Sequence, residues 1–397
     1  MDIIQHTFNL IKRGQVEEAL NKTYILAKEN KDNPIIFNLL GLVYIKKKKL
    51  DNAINNFKKA IELKKEYPEP YYNIGQILFQ LGKFNQAEIY LKKAIQYKSK
   101  YLNALYLLGE NYLYLGKYDK AAYLFSEVLD INPHHSDAFT RILEVLTLSK
   151  KKIEIENYIV LSDQKLKEIN LHIDLNEKIS NQVLNIFFKD LFKILPQKLL
   201  SHESLNTQII KNNENNLNCL RHFQVVKNYK VIPENCFSCF KLQVETKNVL
   251  ELIKLYLLLN NIDFPNNNHR KCFIELRENI PGTYKALVYC SNIFELESID
   301  TFLTPILKKA LYEDIKITQK RGCSEFSNIH PEYKNLDKDK MMIYNSEWKK
   351  FENSIDEKIP QSEKSHERVY SENIKNLCLS DILVILNWIR YAKNIND

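Results

Sequence analysis

Three equally spaced glycines, Gly41, Gly75 and Gly109, dominate the first half of the sequence. Each is followed twelve residues later by an alanine, at positions 53, 87 and 121. A pattern that repeats at this interval predicts a series of helical hairpins, because a single hairpin cannot bury its apolar face and must stack on the next. We therefore predict an all-α array of paired helices over residues 1–165.

The two kinds of glycine in this array predict two different structures. Gly82 and Gly116 follow a repeat glycine by seven residues, where we expect the turn between paired helices and a positive φ that suits glycine. The repeat glycines themselves fall inside a helix, where glycine costs about 1 kcal/mol. We expect the paired helix to pack so closely there that no side chain fits.

These residues resemble the tetratricopeptide repeat family. The best copies are carried by Leu40-Gly41, Tyr44, Ala53, Phe57 and Ala60, by Ile74-Gly75, Ala87, Leu91 and Ala94, and by Leu108-Gly109, Tyr112, Ala121, Phe125 and Val128. The resemblance implies a solenoid whose first helices line a concave groove for a peptide or a partner helix. The groove residues it implies are Asn38, Tyr72, Gln76, Gln80, Asn103, Tyr106, Glu110 and Tyr114. The alternative is that the array holds its own C-terminal domain or a second copy.

The pattern of elements changes after the array. Residues 166–218 are expected to form a helical extension and a linker, since the stretch KNNENNLN (residues 211–218) is polar and of low complexity. Over residues 219–350 the order is strand, helix, strand, strand, helix, strand, which predicts a small ferredoxin-like (split βαβ) α+β domain. Residues 222–233 are interpreted as an extended lead-in. Residues 351–397 are expected to form a charged segment and a C-terminal amphipathic helix.

Five of the seven cysteines are predicted to lie at one edge of that domain: Cys236, Cys239, Cys272, Cys290 and Cys323. In this topology the first two strands begin at the edge where the last two end. Cys236 and Cys239 have the spacing of a metal-binding knuckle, and Cys323, Cys290 or Cys272 is then expected to complete a tetrahedral set for zinc or an iron–sulfur cluster. His269 and His330 are weaker candidates to replace one sulfur.

Two other interpretations of these cysteines remain. Cys272 and Cys290 share the parity of core residues on their strands, so they also suit small buried apolar side chains. Cys236 and Cys239 also have the spacing of a redox dithiol, but they lead into a strand, whereas such pairs use a helix N-terminus to lower a thiol pKa. A cysteine–histidine catalytic pair between Cys323 and His330 lacks a third group in the sequence.

The outer face of the predicted sheet suggests a weaker, nucleic-acid-binding hypothesis. Basic residues with two aromatics stand opposite the apolar parity, namely Lys241, Gln243, Glu245, Phe273, Glu275, Arg277, Lys285, Tyr289, Lys316 and Lys320. Single-stranded RNA binders stack bases on such sheets. The two carboxylates repel phosphate, however, and lysine and leucine occupy the places of stacking rings, so we do not expect nucleic acid as a partner.

Composition limits the remaining function classes. The net charge is +8 over 397 residues, and no apolar run is long enough for a signal peptide or a membrane span. We expect a cytoplasmic protein with reduced cysteines. The sequence predicts an α+β multidomain interaction scaffold that binds a peptide or protein in the groove. The alternative is an enzyme whose array presents a protein substrate to a thiol or metal centre in the C-terminal domain.

Overall fold

The architecture comes from a computed structural model, which describes residues 3–149, 151–169, 173–175, 177–201, 207–211, 219–278, 280–357 and 378–397. The chain forms two compact units, residues 1–157 (unit 1) and residues 158–397 (unit 2). Most of the predicted linker, at residues 212–218, and part of the predicted charged segment, at residues 358–377, lie outside the described residues. Among the described helices, none combines the length and apolar character that crossing a membrane requires.

Unit 1 is a run of α-helices that pack in successive pairs. They are α1 (Ile3–Lys12), α2 (Val16–Glu29), α3 (Pro34–Lys46), α4 (Leu50–Leu63), α5 (Pro68–Gln80), α6 (Phe84–Tyr97), α7 (Leu102–Tyr114), α8 (Tyr118–Ile131) and α9 (Ser136–Leu148). The most extensive packing joins α3 to α4, α5 to α6 and α7 to α8. Pro34 and Pro68 begin their helices, where the missing N–H costs nothing. The predicted all-α array is therefore present.

The turns of these pairs confirm the prediction made from glycine spacing. Gly82 has φ +70° and Gly116 has φ +66°, in the left-handed region that glycine reaches without a steric penalty. Lys48, which occupies the same place one repeat before Gly82, adopts φ 57°. The repeat alanines Ala53 and Ala87 are fully buried between the helices, so the recurring small residues mark the packing seam.

Unit 2 contains a five-stranded antiparallel sheet with the order β1-β3-β4-β2-β5. Its strands are β1 (Gln208–Lys211), β2 (Phe240–Thr246), β3 (Arg270–Ile274), β4 (Tyr284–Cys290) and β5 (Lys316–Arg321). Phe240, at the start of β2, pairs with Cys290 at the end of β4 and with Arg321 at the end of β5. The start of β2 and the ends of β4 and β5 therefore lie at the same edge of the sheet, as the predicted topology requires.

Helices surround this sheet. They are α10 (Tyr158–Lys167), α11 (Asn181–Ile194), α12 (Gln197–Leu200), α13 (Cys219–Tyr229), α14 (Val249–Asn261), α15 (Ile293–Ala310), α16 (Ser324–Ile329), α17 (Lys349–Asp356) and α18 (Leu379–Asn394). Helix α14 connects β2 to β3, α15 connects β4 to β5, and both pack on the sheet. Leu242 and Val288 are fully buried on the face that they cover. Asn248 and Asn292 cap these two helices through their side chains.

Two features of unit 2 differ from the sequence interpretation. Strand β1, which pairs with β3, was not predicted. The stretch interpreted as extended at residues 222–233 is helical as far as Tyr229, and its Val225 and Val226 are buried in two separate apolar clusters. Val225 packs with Ile355 of α17, a contact too distant in sequence for a local pattern to reveal. Helix α18 packs against α10, α12, α14 and β1.

Candidate functional site

The predicted groove residues lie on the first helix of each pair, α3, α5 and α7. We call this surface the first-helix face. Gln80, Asn103 and Tyr114 are exposed, and Tyr72, Gln76 and Tyr106 are half-buried. Asn38 and Glu110 are instead buried. Asn38 accepts a hydrogen bond from the Nδ2 of Asn73 at 2.9 Å, so its amide joins α3 to α5. The residues available at the surface therefore come from α5 and α7.

Aromatic rings form contacts along the first-helix face. The rings of Tyr72 and Tyr101 are 5.2 Å apart, and the rings of Tyr106 and His135 stack at 5.2 Å. Burial raises the pKa of the Tyr72 and Tyr106 hydroxyls, so both remain neutral donors and acceptors at pH 7. Tyr101 and His135 were not among the predicted groove residues, because they occupy a repeat position that the sequence interpretation did not use. They precede α7 and α9, where each repeat begins.

A partly buried ion pair fixes the end of this face. The Nε of Arg141 on α9 lies 2.8 Å from the Oε1 of Glu110 on α7, and its Nη1 lies 2.6 Å from Glu144. Burial raises the pKa of Glu110, and Arg141 partly opposes this effect. The carboxylate of Glu110 therefore holds α7 against α9 and is not freely available to a ligand.

A cavity of about 410 Å³ lies elsewhere in unit 1, between α6, α7 and α8. Sequence reasoning missed it, because its walls come from core and surface positions of different repeats. Its lining consists of Lys92, Ile95, Leu108, Tyr112, Asp119, Lys120, Tyr123 and Leu124.

In unit 2 the five predicted cysteines do not all come together. Cys272 lies in β3 opposite Ala286, and Cys290 ends β4 opposite Phe240. Both are buried on the face of the sheet that carries the apolar core, and burial raises the pKa of each thiol to about 12. These two cysteines have the environment of small core residues, which was one of the interpretations left open.

A different set of thiols forms a cluster: Cys219, Cys236, Cys239 and Cys323. We call it the thiol cluster. Burial raises the pKa of Cys236, and the neighbouring thiols of Cys239, Cys323 and Cys219 raise it further. The backbone N–H of Gly322 donates to the carbonyl of Cys239 at 2.7 Å, which brings the loop after β5 beside the loop before β2. Cys219 was missed because it follows the low-complexity stretch, with no motif around it.

The thiol cluster does not have the arrangement of a metal site. In the described part of the chain, no three His, Cys, Asp or Glu side chains are placed to hold a metal ion. His269 is buried, and burial with the nearby cations lowers its pKa to about 3. His330 Nε2 lies 2.9 Å from the carbonyl of Lys230. A zinc or iron–sulfur centre stays a prediction that the geometry does not support.

The outer face of the sheet, opposite α14 and α15, was expected to be open to solvent, but much of it is buried. Lys241, Phe273, Lys285 and Tyr289 are each less than a tenth exposed. The rings are therefore not available to stack on bases, which removes the main support for the nucleic-acid hypothesis.

Comparison with known proteins identifies the repeats. Residues 41–82 match the family model described as TPR repeat, and residues 71–133 match the model described as Tetratricopeptide repeat. Residues 41–133 are thus tetratricopeptide repeats, as the resemblance of their residues implies. No curated protein matches the chain significantly.

Solved structures with similarity to this chain include MamA, at 26% identity over 36% of this chain and 83% of that one, with a TM-score of 0.33. YrrB, described as a TPR protein with an unusual peptide-binding site, is 24% identical over 36% of this chain and 74% of that one, with a TM-score of 0.32. The first TPR of Spaghetti (RPAP3), bound to the HSP90 peptide SRMEEVD, is 24% identical over 28% of this chain and 90% of that one, with a TM-score of 0.28.

Proposed function

We propose that the tetratricopeptide repeats of unit 1 bind an extended peptide segment of a partner protein along the first-helix face. The observation that carries this proposal is a row of partly exposed rings that runs from α5 to the start of α9, formed by Tyr72, Tyr101, Tyr106 and His135. Tyrosine gives a large contact area at a low cost in conformational entropy, and it is enriched at the centres of interfaces.

The polar groups between these rings suit a peptide backbone. Gln76, Gln80 and Asn103 each offer an amide that donates and accepts hydrogen bonds. The neutral tyrosine hydroxyls do the same. Every residue of an extended peptide presents one N–H and one C=O, so the face can pair with a backbone while side chains of the peptide pack on the rings.

Site-specific cross-linking of the full chain tests this proposal. A photoreactive phenylalanine derivative replaces Tyr72 or Tyr106, with the exposed Tyr123 of α8 as the matched control. We expect one partner segment to cross-link from positions 72 and 106 only. A synthetic peptide of that segment should lose about tenfold or more in affinity for Tyr72→Ala or Tyr106→Ala, because truncating an anchoring ring costs about 2 kcal/mol. Cross-linking from Tyr123 alone, beside the 410 Å³ cavity, overturns the proposal.

We further propose that β2, α14, β3, β4, α15 and β5 form a ferredoxin-like unit to which β1 is added at one edge. The strand order β3-β4-β2-β5 supports this, since the third strand of the unit lies between its first and second. The accessory role of this unit, and the alternative in which the array presents a substrate to the thiols of unit 2, stay predictions.

A further inference from the structure

Three lysines gather on the outer face of the sheet in unit 2: Lys241 of β2, Lys271 of β3 and Lys320 of β5. Lys241 and Lys320 are directly opposite each other in the antiparallel ladder. Lys241 is also opposite Tyr289, and its Nζ lies 5.1 Å from the centre of that ring. Like charges in directly opposite positions destabilise a sheet, so this arrangement needs a compensating group.

No carboxylate of the described residues lies within ion-pair distance of these three ammonium groups, and Glu245 acts on Lys320 only from farther away. Lys241 Nζ lies 2.9 Å from the carbonyl of Gly322 and 3.4 Å from the sulfur of Cys323. Lys320 Nζ lies 3.1 Å from both the Gln243 Oε1 and the Ser324 hydroxyl. Lys271 Nζ lies 4.5 Å from the centre of the Phe273 ring. The nearest partners of all three ammonium groups are therefore uncharged groups.

The other cations of the same face differ in this respect. Lys316 Nζ lies 3.0 Å from Glu245, and the Nη2 of Arg277 lies 2.7 Å from Glu275. The carboxylates Glu245 and Glu275, and also Glu325 beside Ser324, are therefore already paired with Lys316 or Arg277. The excess positive charge is confined to the end of the sheet that carries Cys239 and Cys323.

Burial makes this concentration of charge costly at Lys271 and Lys320, whereas at Lys241 burial is outweighed by Cys239, Tyr289 and Cys323, which raise its pKa. Lys241 is only 5% exposed. Burial lowers the pKa of Lys271 and of Lys320, and the charge of Lys241 lowers both further. A charge removed from water is stable only when it is paired. A bound anion would supply the missing charge.

We propose that Lys241, Lys271 and Lys320, together with the neighbouring Cys323 and Ser324, form a binding site for a phosphate group, as carried by a phosphate monoester. Such a group has a charge of about −1.5 to −2 at pH 7, which matches a surplus of lysines, and lysine binds phosphate as a point charge. The Ser324 hydroxyl adds a hydrogen-bond donor. This site is independent of the peptide groove.

The rim of this site is accessible to a ligand. Lys271, Lys320, Cys323 and Ser324 are all half-buried, whereas Lys241 is buried. A phosphate group can therefore reach the ammonium groups from the side of the loop after β5. The carbon chain of an ester would extend away from the buried Lys241 towards solvent.

The Cys323 thiol provides a reporter for the site, because it lies 3.4 Å from Lys241. The full chain is alkylated at pH 7 with iodoacetate, which is anionic, or with iodoacetamide, which is neutral, and the Cys323 peptide is quantified by mass spectrometry. Both reagents need the same thiolate, so the ratio of the two rates reports the local attraction for anions. We expect this ratio to exceed that of free glutathione by about tenfold.

Inorganic phosphate should slow both reactions at Cys323, while sodium chloride of equal ionic strength should not. Lys271→Gln and Lys320→Gln should each weaken phosphate protection by about tenfold, since each removes a direct charge partner. Lys316→Gln is the matched control, because Lys316 lies on the same strand as Lys320 but pairs with Glu245. It should leave the protection unchanged.

Three outcomes overturn the proposal. The first is a rate ratio at Cys323 equal to that of glutathione. The second is equal protection by phosphate and by chloride. The third is an equal loss of protection in all three variants, which would indicate general surface charge instead of a site. If a variant fails to fold, as circular dichroism would show, the two reagents and phosphate still test the native chain.

Discussion

Gly109 on α7 and Phe125 on α8 lie in such close contact that a Cβ atom on Gly109 would be 2.7 Å from the Cε1 of the phenylalanine ring. Gly75 and Leu91 show the same relationship, since a Cβ atom on Gly75 would be 2.7 Å from the Cδ2 of Leu91. In both pairs the large partner occupies the same position relative to its glycine, on the second helix of the hairpin. The recurring glycine therefore permits the closest approach of two paired helices, which is why its spacing along the chain is so regular.

The first prediction concerns this contact. Gly109→Ala should reduce the free energy of unfolding by about 1–3 kcal/mol, because an extra carbon in a packed core forces side chains or backbone to shift. Urea unfolding monitored by circular dichroism measures the change. Phe125→Ala removes the ring, so Gly109→Ala should cost less in that background. Equal costs in the two backgrounds would show that the contact does not explain the glycine.

The repeat array could be predicted from the sequence because its determinants are local and periodic. Gly75, the turn glycine Gly82 and Ala87 all belong to one hairpin, α5–α6, and the neighbouring hairpins repeat most of this pattern. Strand β2 was likewise visible from the alternation of Phe240, Leu242 and Val244, which are all buried.

The remainder depended on contacts that are distant in sequence. Helix α13 is stabilised where Val225 meets Ile355, and neither residue carries a signal on its own. Cys219 joins the thiol cluster through the fold alone. The outer sheet face has the polar alternation of an exposed surface, yet Lys285 is only 1% exposed. Alternation distinguishes the two faces of a sheet, but it does not show that the polar face remains open to solvent.

The second prediction is an acid-dependent loss of stability at Glu88. Burial raises the pKa of this carboxyl, but hydrogen bonds from Lys92, Lys117 and Tyr112 outweigh burial and lower it to about 2. A pKa below that of the unfolded chain stabilises the fold above pH 4.5, and this contribution is lost as the pH falls from 4.5 towards 2. Because both lysines are partly exposed, we expect the ionised Glu88 to contribute only about 1–2 kcal/mol to the free energy of unfolding.

Glu88→Gln tests this dependence. The variant should be less stable than the wild type at pH 7 by that amount, and the two should converge as the pH falls below 4.5. Glu62→Gln is the control, since Glu62 is exposed and has no ion-pair partner among the described residues. A pH-independent difference for Glu88→Gln would assign its effect to packing.

The third prediction concerns the docking of α18. Asp381 on this helix forms an ion pair with Lys211 of β1, and it accepts a hydrogen bond from the hydroxyl of Tyr256 on α14 at 2.8 Å. Asp381→Ala should reduce the free energy of unfolding of unit 2 by about 3–5 kcal/mol, because it leaves a buried ammonium without a partner. The fluorescence of Trp388, which is fully buried on α18, follows this transition in denaturant.

Replacing both charges separates the ion pair from the packing. The double variant Lys211→Met with Asp381→Leu should recover most of the lost stability, since apolar residues of similar volume often replace a buried pair without penalty. If the double variant is as unstable as Asp381→Ala, the hydrogen bond to Tyr256 is the larger contribution.

The fourth prediction ranks the reactivity of the seven thiols. Cys219, Cys239 and Cys323 are half-buried, and the other four are buried. Burial raises the pKa of Cys219 and of Cys239, so both should react slowly at neutral pH. Cys323 should react first with an anionic disulfide reagent, because it is half-buried and the ammonium of Lys241, which attracts anions, lies 3.4 Å from its sulfur. Mass spectrometry of the labelled peptides gives the order.

Two variations decide what controls this order. Lys241→Met should slow the reaction of Cys323 while leaving Cys378 protected, since Cys378 is buried beside Asp381. If Cys236, Cys239 and Cys323 instead stay inert until a strong chelator is added, and then react together, a metal ion holds them. That result would restore the predicted metal centre, and it would require these thiols to converge more closely than in the present structure.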